Sequence, residues 1–219
     1  MTLTTAIKIT ANRVGLLETN VSFKDRSRDY LNIIAKRIGT RAKWNWLHKA
    51  TTFNTTADTQ TYQLATDVLT PHSFTDQSNN QPLGIVGWDV LDLADPDRGE
   101  TGDVDVVTIE GVDATTGRIV VRLYPIPSTS DDVIRYRYLA YIPDWTSSDD
   151  STELDRWIPE WLQPALIFGA TELYKQEKGD YEGALTDRAE YETGIKSALD
   201  INLNVQGNRE WHRGRGGPV

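Results

Sequence analysis

The spacing of hydrophobic and polar positions changes twice along this chain. Up to about Leu47, apolar residues return at near-helical intervals. Phe23, Tyr30, Ile33, Ile34 and Ile38 follow that spacing with Arg37 among them, after Ser22 as the predicted N-cap. A shorter helix is predicted from about Thr4 to Val14, and Gly15 and Gly39 punctuate the segment. From about Lys49 to Asp144 the period falls to two. Candidate strands cover 51–55, 59–64, 84–91, 103–110, 117–124 and 133–141. In the last two, alternation places Ile119, Val121 and Leu123 on one face, and likewise Ile134, Tyr136, Tyr138 and Ala140. Thr115-Thr116-Gly117 supplies a turn, and Pro125 with Pro127 ends the strand after it. The pattern predicts an antiparallel meander rather than a βαβ alternation.

Helical spacing then returns. Ser151 and Thr152 offer an N-cap, with Asp155 as the capping-box partner of Thr152. Helices are predicted over 157–178 and 181–203, separated by Gly179, and the second carries a narrow stripe of Tyr191, Ile195, Ala198 and Leu199. The most apolar run, WIPEWLQPALIFGATELY at 157–174, is interrupted only by Glu160, Gln163, Thr171 and Glu172 among its polar residues. It is too short and too broken by charge and proline to span a membrane. Pro159 fits a first helical turn, where a missing N–H costs nothing; Pro164 either kinks the helix or marks its true beginning. Gly169-Ala170 leaves room for a close neighbour. The final NREWHRGRGGPV is glycine-rich and nearly devoid of apolar content apart from Trp211, which predicts a flexible tail. The expected class is α+β: a helical bundle built from both chain ends (1–48 and 151–204), an inserted antiparallel β-rich domain (49–150), and a tail (205–219).

Composition narrows the function. With 219 residues the chain suits one elaborated domain or two small ones, and without cysteine it has no disulfide, thiolate metal site or cysteine nucleophile. MTLTTAIKITANR lacks a basic start followed by a long apolar core, so no signal peptide is predicted. The net charge of −9 is segregated. Residues 1–50 hold ten Lys/Arg against three Asp/Glu, and residues 51–155 hold five against nineteen. Such polarity implies different partners for different surfaces, and an acidic chain is a poor sequence-specific reader of duplex DNA.

No active site emerges. His48, His72 and His212 show no metal-ligand spacing, and no GxSxG, P-loop or GxGxxG sequence occurs. Asp pairs abound, but their abundance makes a glycosidase pair uninformative. In DPDRGETGDVD (95–105), Asp95 and Asp97 match the first two ligand positions of an EF-hand. Gly99 replaces the third, Glu100 takes the glycine place, and Val106 stands where the bidentate Glu belongs, so a solvated turn is the better reading. Trp44, Trp46, Trp157 and Trp161 sit where helices begin or meet the β-zone. They read as packing residues rather than stacking platforms, while Trp88 and Trp145 are less committed.

The order of features carries a resemblance. A basic helical segment ends in KWNWL (43–47). FNTTADTQTYQLATDV (53–68) gives a Phe strand, a polar turn and a Tyr-x-Leu strand. LYPIP (123–127) and IRYRYLAY (134–141) follow, then WIPEW and a GA-containing apolar helix, then a charged helix and a loose end. From about residue 4 to about 200 this resembles the head-to-tail adaptor, or connector, proteins of tailed bacteriophages. The resemblance implies a non-enzymatic structural protein needing no cofactor or metal. It implies a homo-oligomeric ring, a 12-mer, that docks under the portal protein and receives a tail, nozzle or tail-terminator protein. Double-stranded DNA would pass without sequence-specific binding, and no membrane is involved. The place would be the neck of the virion, assembled in the host cytoplasm.

On that reading Trp44, Trp46, Trp157, Trp161, Leu162 and Phe168 are candidate bundle-core or subunit-interface residues. Arg209, Trp211, Arg213 and Arg215 combine an aromatic anchor with forked cations, as a candidate portal or partner interface, against the plain alternative of a free chain end. Two orientations stay open for the acidic zone, facing the DNA passage to repel phosphates or facing outward for solubility. The basic N-terminal zone either meets an acidic portal surface or is a solvated helix face. The reading from another class is a carbohydrate-binding β-module, which needs solvent-exposed Trp88 and Trp145; a hydrolase built on Asp pairs is a third.

Overall fold

The computed structural model describes residues 1–16, 21–97 and 99–213, with side chains throughout these spans except at 21, 94 and 203–213. The fold is α+β and divides into two units: Met1–Trp46 together with the chain from Ile142 onward, and Leu47–Tyr141. The chain leaves the helical unit after Trp46. It returns at Ile142, and side chains of the helical unit hold the segment that follows. Asn32 brackets Trp145, its amide donating to Trp145 O at 3.0 Å and its carbonyl accepting the Trp145 N–H at 2.9 Å. Arg28 reaches both oxygens of Asp150, at 2.9 and 3.1 Å.

The helical unit starts with α1 (Leu3–Arg13). Its buried residues Leu3, Ala6, Ile7, Thr10 and Ala11 keep one helical stripe, and the Thr2 side chain accepts the Thr5 N–H at 3.2 Å as the cap. In α2 (Val21–Arg41) the residues Phe23, Leu31, Ile34, Ala35 and Ile38 are buried. Ser22 lies inside this helix rather than capping it, Gly39 lies inside it too, and Ile33 is 43% exposed. The helix ends at Arg41, followed by a 3-10 turn at Asn45–Leu47.

After the β unit, the chain passes through short 3-10 turns before α4 (Gln163–Glu177) and α5 (Tyr181–Arg213). The capping box forms at Thr146 and Asp149 rather than at Thr152 and Asp155; Asp155 instead receives the Gln163 amide and the N-terminal ammonium. Pro164 stands in the first turn of α4 and so marks its beginning, and Pro159 precedes a separate 3-10 turn at Glu160–Leu162. Gly179, at φ 79°, supplies the left-handed residue that ends α4. The expected stop of α5 near 203 is corrected: the helix continues through ten further residues to Arg213. Extending an existing helix adds one hydrogen bond per residue fixed, which glycine at a single interior position does not prevent. The part of the predicted tail at 214–219 lies outside the described residues.

The β unit contains β1 (His48–Asn54), β2 (Thr61–Gln63), β3 (Val68–Asp76), β4 (Gln81–Ile85), α3 (Trp88–Ala94), β5 (Thr101–Gly102), β6 (Val106–Val112), β7 (Ile119–Tyr124), β8 (Ile126–Pro127) and β9 (Val133–Ala140). Among the described residues the main sheet has the order β1-β9-β3-β4-β6-β7-β2. It is therefore not a meander, since β9 inserts between β1 and β3. It is also mixed: β4 and β6 run parallel, as do β5 and β8 in a separate two-stranded sheet.

The sequence pattern missed β3, whose buried residues Val68, Pro71, Phe74 and Asp76 break strict alternation. Two register shifts, between Val68 and Thr70 and between Pro71 and Ser73, explain that spacing, and Pro71 is tolerated because the β3–β4 ladder covers only Phe74–Asp76 and leaves it paired on one side. The predicted strand at 84–91 is a strand only to Ile85. Past Gly87 the chain turns helical, with Asp89 in the first turn and Leu91 buried. The core packs Leu64, Phe74, Val107, Val121, Leu123, Ile134, Tyr136, Tyr138 and Ala140, so the faces expected of β7 and β9 point inward. Each fully buried aliphatic side chain here contributes about 1.5–3 kcal/mol.

Candidate assembly surfaces

The two tryptophans of KWNWL are held differently. Trp44 is fully buried, donates from Nε1 to Ile38 O at 2.5 Å, and lies 6.1 Å from the half-buried Trp46 ring. Between them the Asn45 N–H donates to Asn202 Oδ1 at 3.0 Å, and the Asn202 amide donates to Lys43 O at 3.3 Å. That asparagine pair ties the end of the N-terminal segment to α5. Leu162 is fully buried, while Trp157 and Phe168 are half-buried beneath guanidinium groups, Arg156 at 5.3 Å and Arg13 at 4.4 Å. Trp161 is 45% exposed. Of the six candidate core or interface residues it presents the most apolar surface to solvent, in a helical unit that also exposes Tyr181, Leu185 and Ile201.

α4 supplies the centre of this unit. Ala165, Leu166, Ile167, Gly169, Ala170 and Thr171 are all buried, on several sides of one helix. Two close approaches depend on missing side chains. A Cβ on Gly169 would lie 2.8 Å from Ile34 Cγ2, and one on Gly194 would lie 2.9 Å from Ala165 Cβ. A carboxylate that the sequence pattern did not single out joins the helices: Asp187, buried on α5, receives Arg13 of α1 at 2.7 Å and Lys175 of α4 at 2.8 Å. Its only sequence signal is a charge at a helical spacing of four from Tyr191, on the apolar stripe.

Arg209, Trp211 and Arg213 fall on the last turns of α5, and nothing further is described of their side chains; Arg215 lies outside the described residues. The structure brings together two histidines that the sequence reading kept apart. The His48 and His72 rings stack at 5.2 Å, because His72 occupies the register shift in β3. Among the described residues no group of three or more His, Cys, Asp or Glu is gathered as a metal site, and no helix is long and apolar enough to cross a membrane.

In the acidic loop, Asp95 accepts the Glu100 N–H at 3.1 Å, and Glu100 accepts the Tyr124 hydroxyl at 2.7 Å, which pushes the Tyr124 phenol up to about 12. These carboxylates organise a turn. Trp145 is buried at 4% exposure and Trp88 is half-buried with Arg122 over its ring at 5.3 Å, so the pair does not form an exposed stacking platform for a sugar.

A family model described as SU10 adaptor protein matches residues 1–218. No curated protein matches the chain.

Proposed function

The chain belongs to the SU10 adaptor protein family, and from that premise we propose that it joins the DNA-filled head of a bacteriophage to its tail. Membership makes it a phage structural adaptor and a virion component; the observation that carries the rest is that the family match runs nearly end to end. In this reading the protein is a non-enzymatic ring of twelve copies that docks under the portal, receives tail components and encloses part of the DNA channel. A ring protomer must bury flanks against neighbours as well as its own core. The exposed Trp161, Tyr181, Leu185 and Ile201 of the helical unit suit that demand. The residues Arg209, Trp211, Arg213 and Arg215 supply cations and an aromatic anchor for a partner surface.

Native mass spectrometry and negative-stain microscopy, with the portal protein present, test the proposal. Twelvefold rings are expected, and a strict monomer in every condition overturns it. Deleting residues 208–219 is expected to impair portal docking or tail attachment while circular dichroism shows a folded protomer. Unchanged assembly removes the terminal segment from the interface.

A further inference from the structure

The helical unit contains an open cleft of about 540 Å³ between α2, α4 and α5, and a second hollow of about 390 Å³ continues it along α5 past Arg41 and Glu192. Three guanidinium groups line the larger one. Arg41 is already held by Glu192 at 3.0 Å, whereas Arg37 and Arg188 are exposed and have no ion-pair partner among the described residues. Tyr191 lines the same cleft. It is 6% exposed, and its hydroxyl has no hydrogen-bond partner among the described residues. That hydroxyl opens to solvent on the cleft, where it stands as a donor for an arriving acceptor.

Two cations and one hydroxyl, all donors without acceptors, fit an anion. The other lining groups decide what kind. Glu172 is buried with the Gln176 amide on it at 2.8 Å, and Glu192 stands beside Arg41. Those carboxylates repel a phosphodiester backbone, whose charges are continuous, but tolerate a peptide, whose carboxylates are isolated and whose N–H groups can donate to them.

The chain itself carries such a peptide. Of the loop carboxylates, Asp95 is engaged within the turn, Glu100 accepts the Tyr124 hydroxyl of β7, and Asp105 accepts the Gln81 amide at 3.0 Å. Asp97 and Asp103 are exposed with no partner among the described residues. We infer that the cleft at Arg37, Arg188 and Tyr191 receives the carboxylates Asp97 and Asp103 of a second copy of this chain. The inference rests on the ring reading above. It makes the contact heterologous, with cleft and loop on different surfaces, and heterologous contacts close into rings when the rotation permits. It also gives the charge segregation of the sequence a use, since surplus cations at the cleft face surplus carboxylates on the next copy.

Charge exchange tests it in the full chain. R37E/R188E makes the cleft acidic and D97K/D103K makes the loop basic; all four positions are exposed, and circular dichroism checks that each variant folds. Each variant alone is expected to lose ring assembly, as read by sedimentation velocity. Their equimolar mixture is expected to regain it, because alternating copies restore opposite charge at every contact. Assembly of either variant alone at the wild-type level, or no recovery on mixing, overturns the inference and leaves the ring reading standing. A wild-type chain that never assembles overturns both. Independently, the labelled peptide DPDRGETGDVD should bind the wild-type chain at low salt at least tenfold more tightly than it binds R37E/R188E, with Y191F intermediate. Equal binding of a scrambled peptide, or preferential binding of a DNA duplex, overturns the assignment.

Discussion

Replacing Gly169 by alanine sets two calculable effects against each other. In a helix interior, alanine is favoured over glycine by about 0.8–1.0 kcal/mol, so on propensity alone the variant gains stability. Packing opposes it. The added Cβ would stand 2.8 Å from Ile34 Cγ2, 3.0 Å from Cδ1 and 3.1 Å from Cγ1, against an ordinary carbon contact of about 3.5–4.0 Å. Ile34 is 0% exposed and branched at Cβ, so its nearest methyl cannot swing into solvent. Overpacking of this kind costs about 1–3 kcal/mol, and one methyl pressed on three carbons of a fixed side chain belongs in the upper half of that range. The net expectation is a loss of about 1–2 kcal/mol. For a chain of this size that lowers Tm by roughly 2–8 °C.

Urea denaturation followed by tryptophan fluorescence measures this in the right place, because Trp44, Trp46, Trp145, Trp157 and Trp161 all lie in the helical unit. The midpoint should fall with the slope unchanged. The cycle with Ile34→Ala isolates the contact. That substitution alone opens a cavity costing about 2–5 kcal/mol, which the alanine methyl partly refills, so the double variant should cost about 1–2 kcal/mol less than the sum of the singles. A G169A midpoint at or above wild type, or additive singles, refutes the reasoning: α2 and α4 would then not meet at this glycine.

The remaining predictions concern charge. Asp187→Asn leaves Arg13 and Lys175 facing a neutral amide; a broken buried pair costs about 3–5 kcal/mol, and because Arg13 is 38% exposed and can turn to water, about 2–3 kcal/mol is expected from the same urea midpoints. A loss below about 0.5 kcal/mol would show that the carboxylate joins nothing. In the β unit, burial pushes the Asp67 carboxyl up, but the Lys49 ammonium at 2.7 Å and the Tyr138 hydroxyl at 2.9 Å outweigh it and hold the group below its ordinary 3.8. A depressed folded value stabilises above the unfolded one and is lost as pH falls through the folded value, so the acid limb lies below about pH 4. Asp67→Asn should flatten that limb in thermal melts at stepped pH and cost about 0.5–1 kcal/mol at neutrality, the scale of a half-exposed pair. An unchanged limb counts against the assignment.

Local period was readable where packing follows it. The expected inward faces of β7 and β9 are inward, with alternation in β9 broken only at its end by the buried Leu139; α1 keeps its five buried residues on one stripe. The pattern failed where the chain changes register. β3 carries Pro71 and His72 inside two register shifts, so its buried positions lose period two, and the His48–His72 stack forms at one of these shifts. Sheet order was equally out of reach: nothing local in β9 says that it inserts between β1 and β3. The capping box falls on Thr146 and Asp149 rather than on Thr152 and Asp155, because two Thr-x-x-Asp spacings occur within ten residues and tertiary partners choose between them. Asp155 is taken by Gln163 and the chain's own N-terminus, which leaves Asp149 to Thr146.

The same distinction separates the two kinds of surface residue in the helical unit. The apolar run 157–174 announced its burial, and its own unit supplies most of the contacts: α4 is enclosed through Ala165, Leu166, Gly169 and Ala170, so excess apolarity there needs no neighbour. The positions used by the proposed contact are less legible, because their residue type hides them. Arg37 lies on the exposed face of α2 with Ile33, Thr40 and Arg41, and Tyr191 stands on the apolar stripe of α5 although its hydroxyl has no partner within the described chain. A hydroxyl on an apolar stripe is an inconsistency between local pattern and local chemistry. Natural sequences keep such inconsistencies where something outside the fold resolves them. Arg37 and Tyr191 converge on one cleft from different helices, which is why the charge exchange is aimed there rather than at the apolar run.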